Sequence, residues 1–226
     1  MNAIRNNIPN AITSLNLFFG CMACIAALSN GCLIAPYIVA FWFIALSAIA
    51  DFLDGLVARL LHAVSAIGKE LDSLADLVSF GLAPALILYS KMDQYDDLLA
   101  LFALLLPVFG ALRLARFNVD TNQATTFTGL PIPANAIFWI GFTDWYAQHT
   151  RPTWVVILLI VLLSLLMVSP LRMFSLKMHN LSSIKQNWAQ YLQIVVTVAA
   201  VIALGLPGLA VAIALYVLLS IIKREK

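Results

Sequence analysis

The feature that most constrains this chain is a succession of apolar runs, each roughly 17 to 25 residues long, separated by charges or by Pro and Gly breaks. An α-helix rising about 1.5 Å per residue needs a run of that length to cross about 30 Å of hydrocarbon. Composition agrees, since 62% of the 226 residues are hydrophobic and only 11% are charged. Soluble domains hold roughly 45 to 50% apolar residues, so that class is excluded. Lipid leaves two architectures, because only helices or a closed barrel satisfy every backbone polar group without water. The alternating pattern of a membrane barrel is absent. The sequence therefore predicts an all-α, polytopic membrane helix bundle.

Reading the runs against charges and breaks predicts about eight spans, near 11–29, 34–61, 69–90, 97–117, 133–148, 153–170, 188–205 and 208–222. An even number puts both termini on one face. Arg5, Arg59, Lys69, Arg113, Arg116, Arg172, Lys177, Lys185, Lys223, Arg224 and Lys226 then share that face, leaving Lys91 and Arg151 opposite. By the positive-inside rule the crowded face is cytoplasmic, and the expected location is the cytoplasmic membrane. Dropping one span would scatter these cations over both faces. The run 133–148 is the weakest, being short and holding Asp144, so a tilted or interfacial helix is an alternative there. Further spans follow the first run at once, so it reads as an uncleaved helix rather than a signal peptide. No linker or internal repeat divides the chain, so residues 1–226 are expected to form a single membrane-embedded domain. A net charge of +2 adds little beyond this asymmetry, and the expected surroundings are membrane lipids with no nucleic acid.

Most isolated polar residues have bland readings. Cys21, Cys24 and Cys32 lie in or beside the first two runs, where free cysteine behaves as a small hydrophobe. A redox pair of Cys21 and Cys24 would need a βαβ setting that this stretch lacks. His62 reads as a solvated loop residue, His149 and His179 as isolated, and Asp93, Asp96 and Asp97 as a solvated acidic loop. The sequon Asn180-Leu181-Ser182 falls in a predicted cytoplasmic loop and is discounted as a glycosylation site. Tyr37, Tyr89, Trp145 and Trp188 sit near span ends and suit an interfacial belt.

The acidic residues of two spans are different. A carboxylate deep in a membrane helix costs about 2.5 to 3.5 kcal/mol on insertion scales, so such residues are functional candidates. Asp51 and Asp54 stand three apart on the second span, and Asp72 and Asp76 stand four apart on the third. Each spacing places its pair on one helical face. Antiparallel neighbours joined by a short loop bring both pairs to similar depth, just below the cytoplasmic surface. Carboxylates converging there repel one another, and Arg59 with Lys69 offset only part of that charge. Hard oxygen ligands without a Cys or His cluster favour Mg²⁺ or Mn²⁺. Two such ions about 3.5 to 4 Å apart are a common clamp for a phosphate undergoing displacement. Gly55, Ala58, Gly68 and Ala75 are interleaved with the acids, and small residues permit close approach by a helix or a ligand. Arg59 can address a phosphate with a planar fork of donors.

The run Asp51-x2-Asp54-Gly55-x2-Ala58-Arg59-x8-Gly68-x3-Asp72-x3-Asp76 resembles, without a gap or substitution, the signature of the CDP-alcohol phosphatidyltransferases. The resemblance implies a dinuclear metal site made by Asp51, Asp54, Asp72 and Asp76, with Asp76 as general base. It also implies a CDP moiety held around Asp54, Gly55, Ala58, Arg59, Gly68 and Asp72, an active site opening to the cytoplasmic leaflet, and a homodimer. The flanks 72–85, 110–118 and 127–134, with Asn16-Leu-Phe-Phe-Gly20, look like the phosphatidylserine synthase branch of that family. CDP-diacylglycerol and L-serine are the substrates this likeness implies. The last three spans carry no recognised motif and read as accessory.

Arg113 and Arg116, one turn apart at the end of the fourth span, are the candidates to bind the carboxylate of the acceptor. Asn118, Thr128 and Gly129 are weaker candidates in the loop that follows, and Pro131 and Pro133 are expected to stiffen entry to the fifth span. Two alternatives stand beside this reading. The acceptor could be glycerol 3-phosphate or an inositol phosphate, which should demand a denser basic cluster. A cation or proton transporter could also use intramembrane acids, but these should lie at the midplane without the Gly, Ala and Arg spacing.

Overall fold

The structure, a computed structural model, describes residues 2–29, 35–63, 65–92, 97–119, 128–149, 152–173 and 187–222. Cys32, Asp93, Asp96, the loop stretch 120–127, Arg151, Lys177, His179, the sequon at 180–182, Lys185, Lys223, Arg224 and Lys226 lie outside the described residues, as do the side chains of Arg5 and Asp97. The described elements are helical apart from one isolated bridge between Thr128 and Arg172. In chain order they are α1 (Asn2–Leu28), α2 (Pro36–Leu60), α3 (Ala66–Met92), α4 (Leu98–Val119), α5 (Ile132–Gln148), α6 (Thr153–Val168), α7 (Trp188–Leu204) and α8 (Pro207–Ile222). Each apolar run read from the sequence coincides with one of them.

Asn7–Leu28 within α1, together with α2, α3 and α4, is long and apolar enough to cross a membrane. Helices α6, α7 and α8 are apolar but shorter. On α2, Trp42, Ile49 and Phe52 point outward with 57 to 70% exposure. Water would penalise such a face, whereas hydrocarbon solvates it.

Two compact units divide the chain, Met1–Leu114 and Ala115–Lys226. In the first, α1 packs against α2 and along the whole length of α3, and α2 also meets α3 between Leu77 and Met92. Small residues make the α1–α3 approach close, since a Cβ at Gly20 would collide with Ser79. Helix α3 is α-helical over Ala66–Asp76, π-helical over Leu77–Leu82 and α-helical again over Ala83–Met92. A π-turn accommodates an extra residue and so resets which face the following residues present. Its Gly81 sits where a Cβ would stand 3.2 Å from Leu77 Cδ1 and reach ordinary contact, 3.4 Å, with Pro107 Cα of α4.

The α2–α3 turn is built tightly. The N–H of Ala63 donates to Ala58 O at 2.9 Å and that of His62 to Arg59 O at 3.2 Å, a Schellman cap with His62 at φ 48°. Ser65 then caps α3, its Oγ accepting from the N–H of Gly68 at 3.0 Å. The sharp reversal keeps the last turn of α2 beside the first turn of α3.

In the second unit α8 packs against α5 and α7. Gln193 Nε2 on α7 donates to Ala212 O on α8 at 2.8 Å. Gly129, at φ 73°, donates its N–H to Leu171 O at 2.8 Å and lies so close to the end of α6 that a Cβ would collide with Met167 O.

Candidate active site

Helix α2 delivers Asp51, Asp54, Gly55, Ala58 and Arg59 on its last turns, and α3 delivers Gly68, Lys69, Asp72 and Asp76 on its first. The ends of these two helices leave space beside α1, which forms its wall. A cavity of ≈ 330 Å³ occupies this space, with Pro9, Asn10 and Thr13 of α1 facing Asp54, Gly55, Ala58 and Arg59 of α2 and Ser65, Gly68, Lys69 and Asp72 on the far side. That volume lies at the lower end of the roughly 300 to 1,000 Å³ found for small-molecule pockets. The six residues that the sequence groups around a CDP moiety, Asp54, Gly55, Ala58, Arg59, Gly68 and Asp72, all line it.

Next to the cavity, carboxylate oxygens of Asp51, Asp72 and Asp76 lie within 4.8 Å of one another. Asp72 belongs to both groups, so the acidic cluster and the cavity are continuous. Asp54, 5% exposed, stands outside that trio, and its Oδ2 is buried with no hydrogen-bond partner. A buried carboxylate oxygen left so carries a large desolvation cost. The donor set fits a hard divalent cation. All its atoms are carboxylate oxygens, and oxygens sharing one Mg²⁺ at about 2.1 Å lie about 3 to 4.2 Å apart, close to the spread seen here.

The glycines separate into two kinds. At Gly55 a Cβ would meet nothing within 4 Å, so the missing side chain keeps the cavity open. At Gly68 a Cβ would stand 2.9 Å from Asn10 Oδ1 and 3.0 Å from Ser65 Oγ, so there the missing side chain lets α3 dock on α1 and accept its cap. Arg59 folds along its own helix, Nε donating to Gly55 O at 2.9 Å, which turns the guanidinium toward the rim.

Arg113 lies in the same unit but is not among the residues lining the cavity. In the second unit, Arg116 donates from Nη1 to Val168 O at 2.9 Å, satisfying a carbonyl at the end of α6. Asn118 follows on the last turn of α4, and Thr128 pairs with Arg172. His62 is exposed at the α2–α3 turn. Cys21 and Cys24 are free thiols on α1, in keeping with their reading as small apolar residues.

The α1 wall is what sequence reasoning missed. Asn10, Thr13 and Asn16 recur every third residue in an otherwise apolar helix, and that polar stripe was the available signal. Asn16, wholly buried, donates from Nδ2 to Asp76 Oδ1 at 3.4 Å.

Comparison with known proteins places this site in a family. The family model for CDP-alcohol phosphatidyltransferase matches residues 6–149, and the chain belongs to that family. A protein of Helicobacter pylori (strain ATCC 700392 / 26695) named CDP-diacylglycerol--serine O-phosphatidyltransferase is 33% identical over 222 residues, covering 95% of this chain and 90% of its own. A protein of the same name from Methanocaldococcus jannaschii is 38% identical over 165 residues, covering 73% of this chain and 72% of its own. Another, from Bacillus subtilis (strain 168), is 40% identical over 129 residues, 57% of this chain and 70% of its own.

Proposed function

We propose that this protein transfers the phosphatidyl group of CDP-diacylglycerol to the hydroxyl of L-serine, giving phosphatidylserine and CMP. The observation that carries the reading is the continuity, through Asp72, of a three-carboxylate cluster with a cavity lined by Gly55, Ala58 and Arg59, in a chain of this family. The serine acceptor rests on the names of relatives that align over most of the chain, and it is preferred on that ground to glycerol 3-phosphate or an inositol phosphate.

Asp51, Asp54, Asp72 and Asp76 are the proposed holders of divalent metal, Mg²⁺ or Mn²⁺ and two ions by the family resemblance. When bound, such ions polarise the phosphate and stabilise negative charge on the departing nucleotide. The chain supplies the rest. Gly55 and Ala58 leave room for the CDP moiety beside α2, and Arg59 offers its guanidinium to a phosphate at the rim. Asp76 accepts the serine hydroxyl proton as the oxygen forms its bond to phosphorus and the bond to CMP breaks. Arg113 and Arg116, with Asn118, are the proposed contacts for the serine carboxylate, Arg116 while also capping α6.

Eight membrane crossings with both termini and the cavity mouth on the cytoplasmic side complete the proposal. It is supported by Arg59 and Lys69 at one end of the α2–α3 pair and Lys91 at the other, where Lys91 Nζ sits 4.6 Å over the Tyr37 ring. One membrane domain in the cytoplasmic membrane, working as a homodimer with α6–α8 as accessory helices, belongs to the same reading.

The test is direct. Purified protein is supplied with CDP-diacylglycerol, Mg²⁺ or Mn²⁺, and labelled serine or labelled glycerol 3-phosphate, and label in lipid is followed with CMP release. Serine label should enter lipid in step with CMP and stop on chelation. Label entering only from glycerol 3-phosphate would overturn the acceptor. Arg113→Ala should raise the KM for serine more than that for CDP-diacylglycerol, and equal effects on both would remove it from the acceptor site.

A further inference from the structure

We infer that Asn16 of α1, outside the aspartate signature, is a positioning residue that fixes the orientation of the Asp76 carboxylate. The inference rests on the active-site reading above, in which Asp76 serves the reaction.

The geometry is a relay across three helices. Asn16, Ser47 and Ser79 are all wholly buried. Ser79 Oγ lies 2.7 Å from Asn16 Oδ1 and donates to it, which turns the amide nitrogen toward Asp76 Oδ1 at 3.4 Å. The opposite amide orientation would set an oxygen against a carboxylate oxygen, so the hydrogen-bond network selects the one described. The backbone carbonyl of Asn16 accepts from Ser47 Oγ on α2 at 3.1 Å, and Ser79 Oγ is also 3.1 Å from it.

These two sets of bonds do different things. Ser47 and Ser79 can tie α1 to both neighbours through the backbone carbonyl, whatever side chain stands at position 16. The amide side chain adds the link to Asp76. An amide buried in a membrane helix is costly unless its donors and acceptors are used, and here the donor is spent on a carboxylate of the acidic cluster. Two further features hold the amide in place. Ser79 sits three residues beyond Asp76 on the π-helical stretch, and Gly20 lets α1 come close enough for the contact. With Oδ1 held from α1, Asp76 meets Asp51 and Asp72 in one orientation instead of rotating about its side chain.

Asn16→Leu deletes the amide, keeps similar bulk and leaves both backbone ties. In full-length protein in detergent, Mn²⁺ alone is titrated by electron paramagnetic resonance, and kcat, KM and the unfolding temperature are measured in parallel. Outer partners of metal ligands typically control affinity or activity about 10- to 100-fold, so Mn²⁺ should bind at least about tenfold more weakly. By the same principle kcat should fall by about tenfold or more while the KM for serine stays within about twofold. The unfolding temperature should hold. Ser79→Ala frees the amide without touching it and should move Mn²⁺ affinity and kcat in the same direction by a smaller factor.

Wild-type Mn²⁺ affinity and kcat in Asn16→Leu would overturn the inference. If Asn16→Leu does not fold, Ser79→Ala decides, and wild-type values there overturn it equally. Asp76→Ala separates the two levels of failure. Loss of turnover in Asp76→Ala beside a normal Asn16→Leu overturns the positioning role alone, whereas near-normal turnover in Asp76→Ala overturns the active-site reading beneath it.

Discussion

Gly55 and Gly68 occupy equivalent-looking places in one motif, yet they answer to different forces. The space beside Gly55 is open and belongs to the cavity, whereas that beside Gly68 is filled by Asn10 and Ser65. Substitution should therefore separate substrate binding from folding. Gly55→Val is expected to leave the unfolding temperature near wild type and to raise the KM for CDP-diacylglycerol by about tenfold, the order of one to two misplaced methyl groups in a pocket. Gly68→Ala is expected to be tolerated, since Asn10 Oδ1 and Ser65 Oγ are side-chain ends that can give way, whereas Gly68→Val outgrows that play and is expected to destabilise the protein by about 1 to 3 kcal/mol through overpacking against α1, read as a lowered unfolding temperature. A stable Gly68→Val with a raised KM would reverse that assignment. The aspartates were legible from sequence because charge in a membrane helix is expensive and their spacing fixes a face. Asn10 and Thr13 were not singled out, and Asn16 was named only within the stretch 16–20 with no role, because these are uncharged residues in an apolar run whose meaning depends on which neighbours α1 finds. Arg116 was read as a candidate acceptor contact at a helix end, and its bond to Val168 O was not legible, because that partner lies 52 residues away.

At the scale of elements, two features decide whether the helices hold the site. The first is the cap between α2 and α3, where His62 adopts the left-handed conformation usually left to glycine. That conformation costs a residue with a Cβ about 1 to 2 kcal/mol, and His62 is exposed with no shift in its role needed to remove the cost. His62→Gly is expected to raise stability by about 1 kcal/mol with turnover unchanged, measured by thermal unfolding and assay. A fall in turnover would give His62 a part in the chemistry that its loop position does not suggest. The second is the seam of α5 with α8 in the second unit. A Cβ at Gly141 would stand 2.6 Å from Ala210 N and 2.7 Å from Leu206 O, both backbone atoms that cannot rotate away. Gly141→Ala should cost about 1 to 3 kcal/mol, and a neutral result would show that this seam yields easily. Helix existence was legible from the apolar runs, but the π-turn at Leu77–Leu82 and the packing of α1 on both α2 and α3 were not, since neither leaves a pattern within a single apolar run.

For the whole molecule, orientation in the bilayer is the property on which the proposed chemistry depends, because CMP and serine must reach the cavity mouth from water. Charge supplies the argument. In the first unit Arg59 and Lys69 line the cavity at one end of α2 and α3, and Lys91 lies at the far end of α3. Helix α4 starts from that far end and carries Arg113 on its way back. By the positive-inside rule, the proposed orientation has the cavity mouth in the cytoplasm. Ile67, near the mouth, and Leu98, at the start of α4, are each 74% exposed and suit labelling. With Cys21, Cys24 and Cys32 replaced by Ala, single cysteines at Ile67→Cys and Leu98→Cys should divide cleanly. An impermeant maleimide should reach position 67 only in inverted vesicles and position 98 only in right-side-out vesicles. The opposite pattern would turn the mouth outward, away from the cytoplasmic nucleotide pool, and the reading of the aspartate cluster as a phosphatidyltransferase site fed from that side would fail even with every distance in the cluster unchanged.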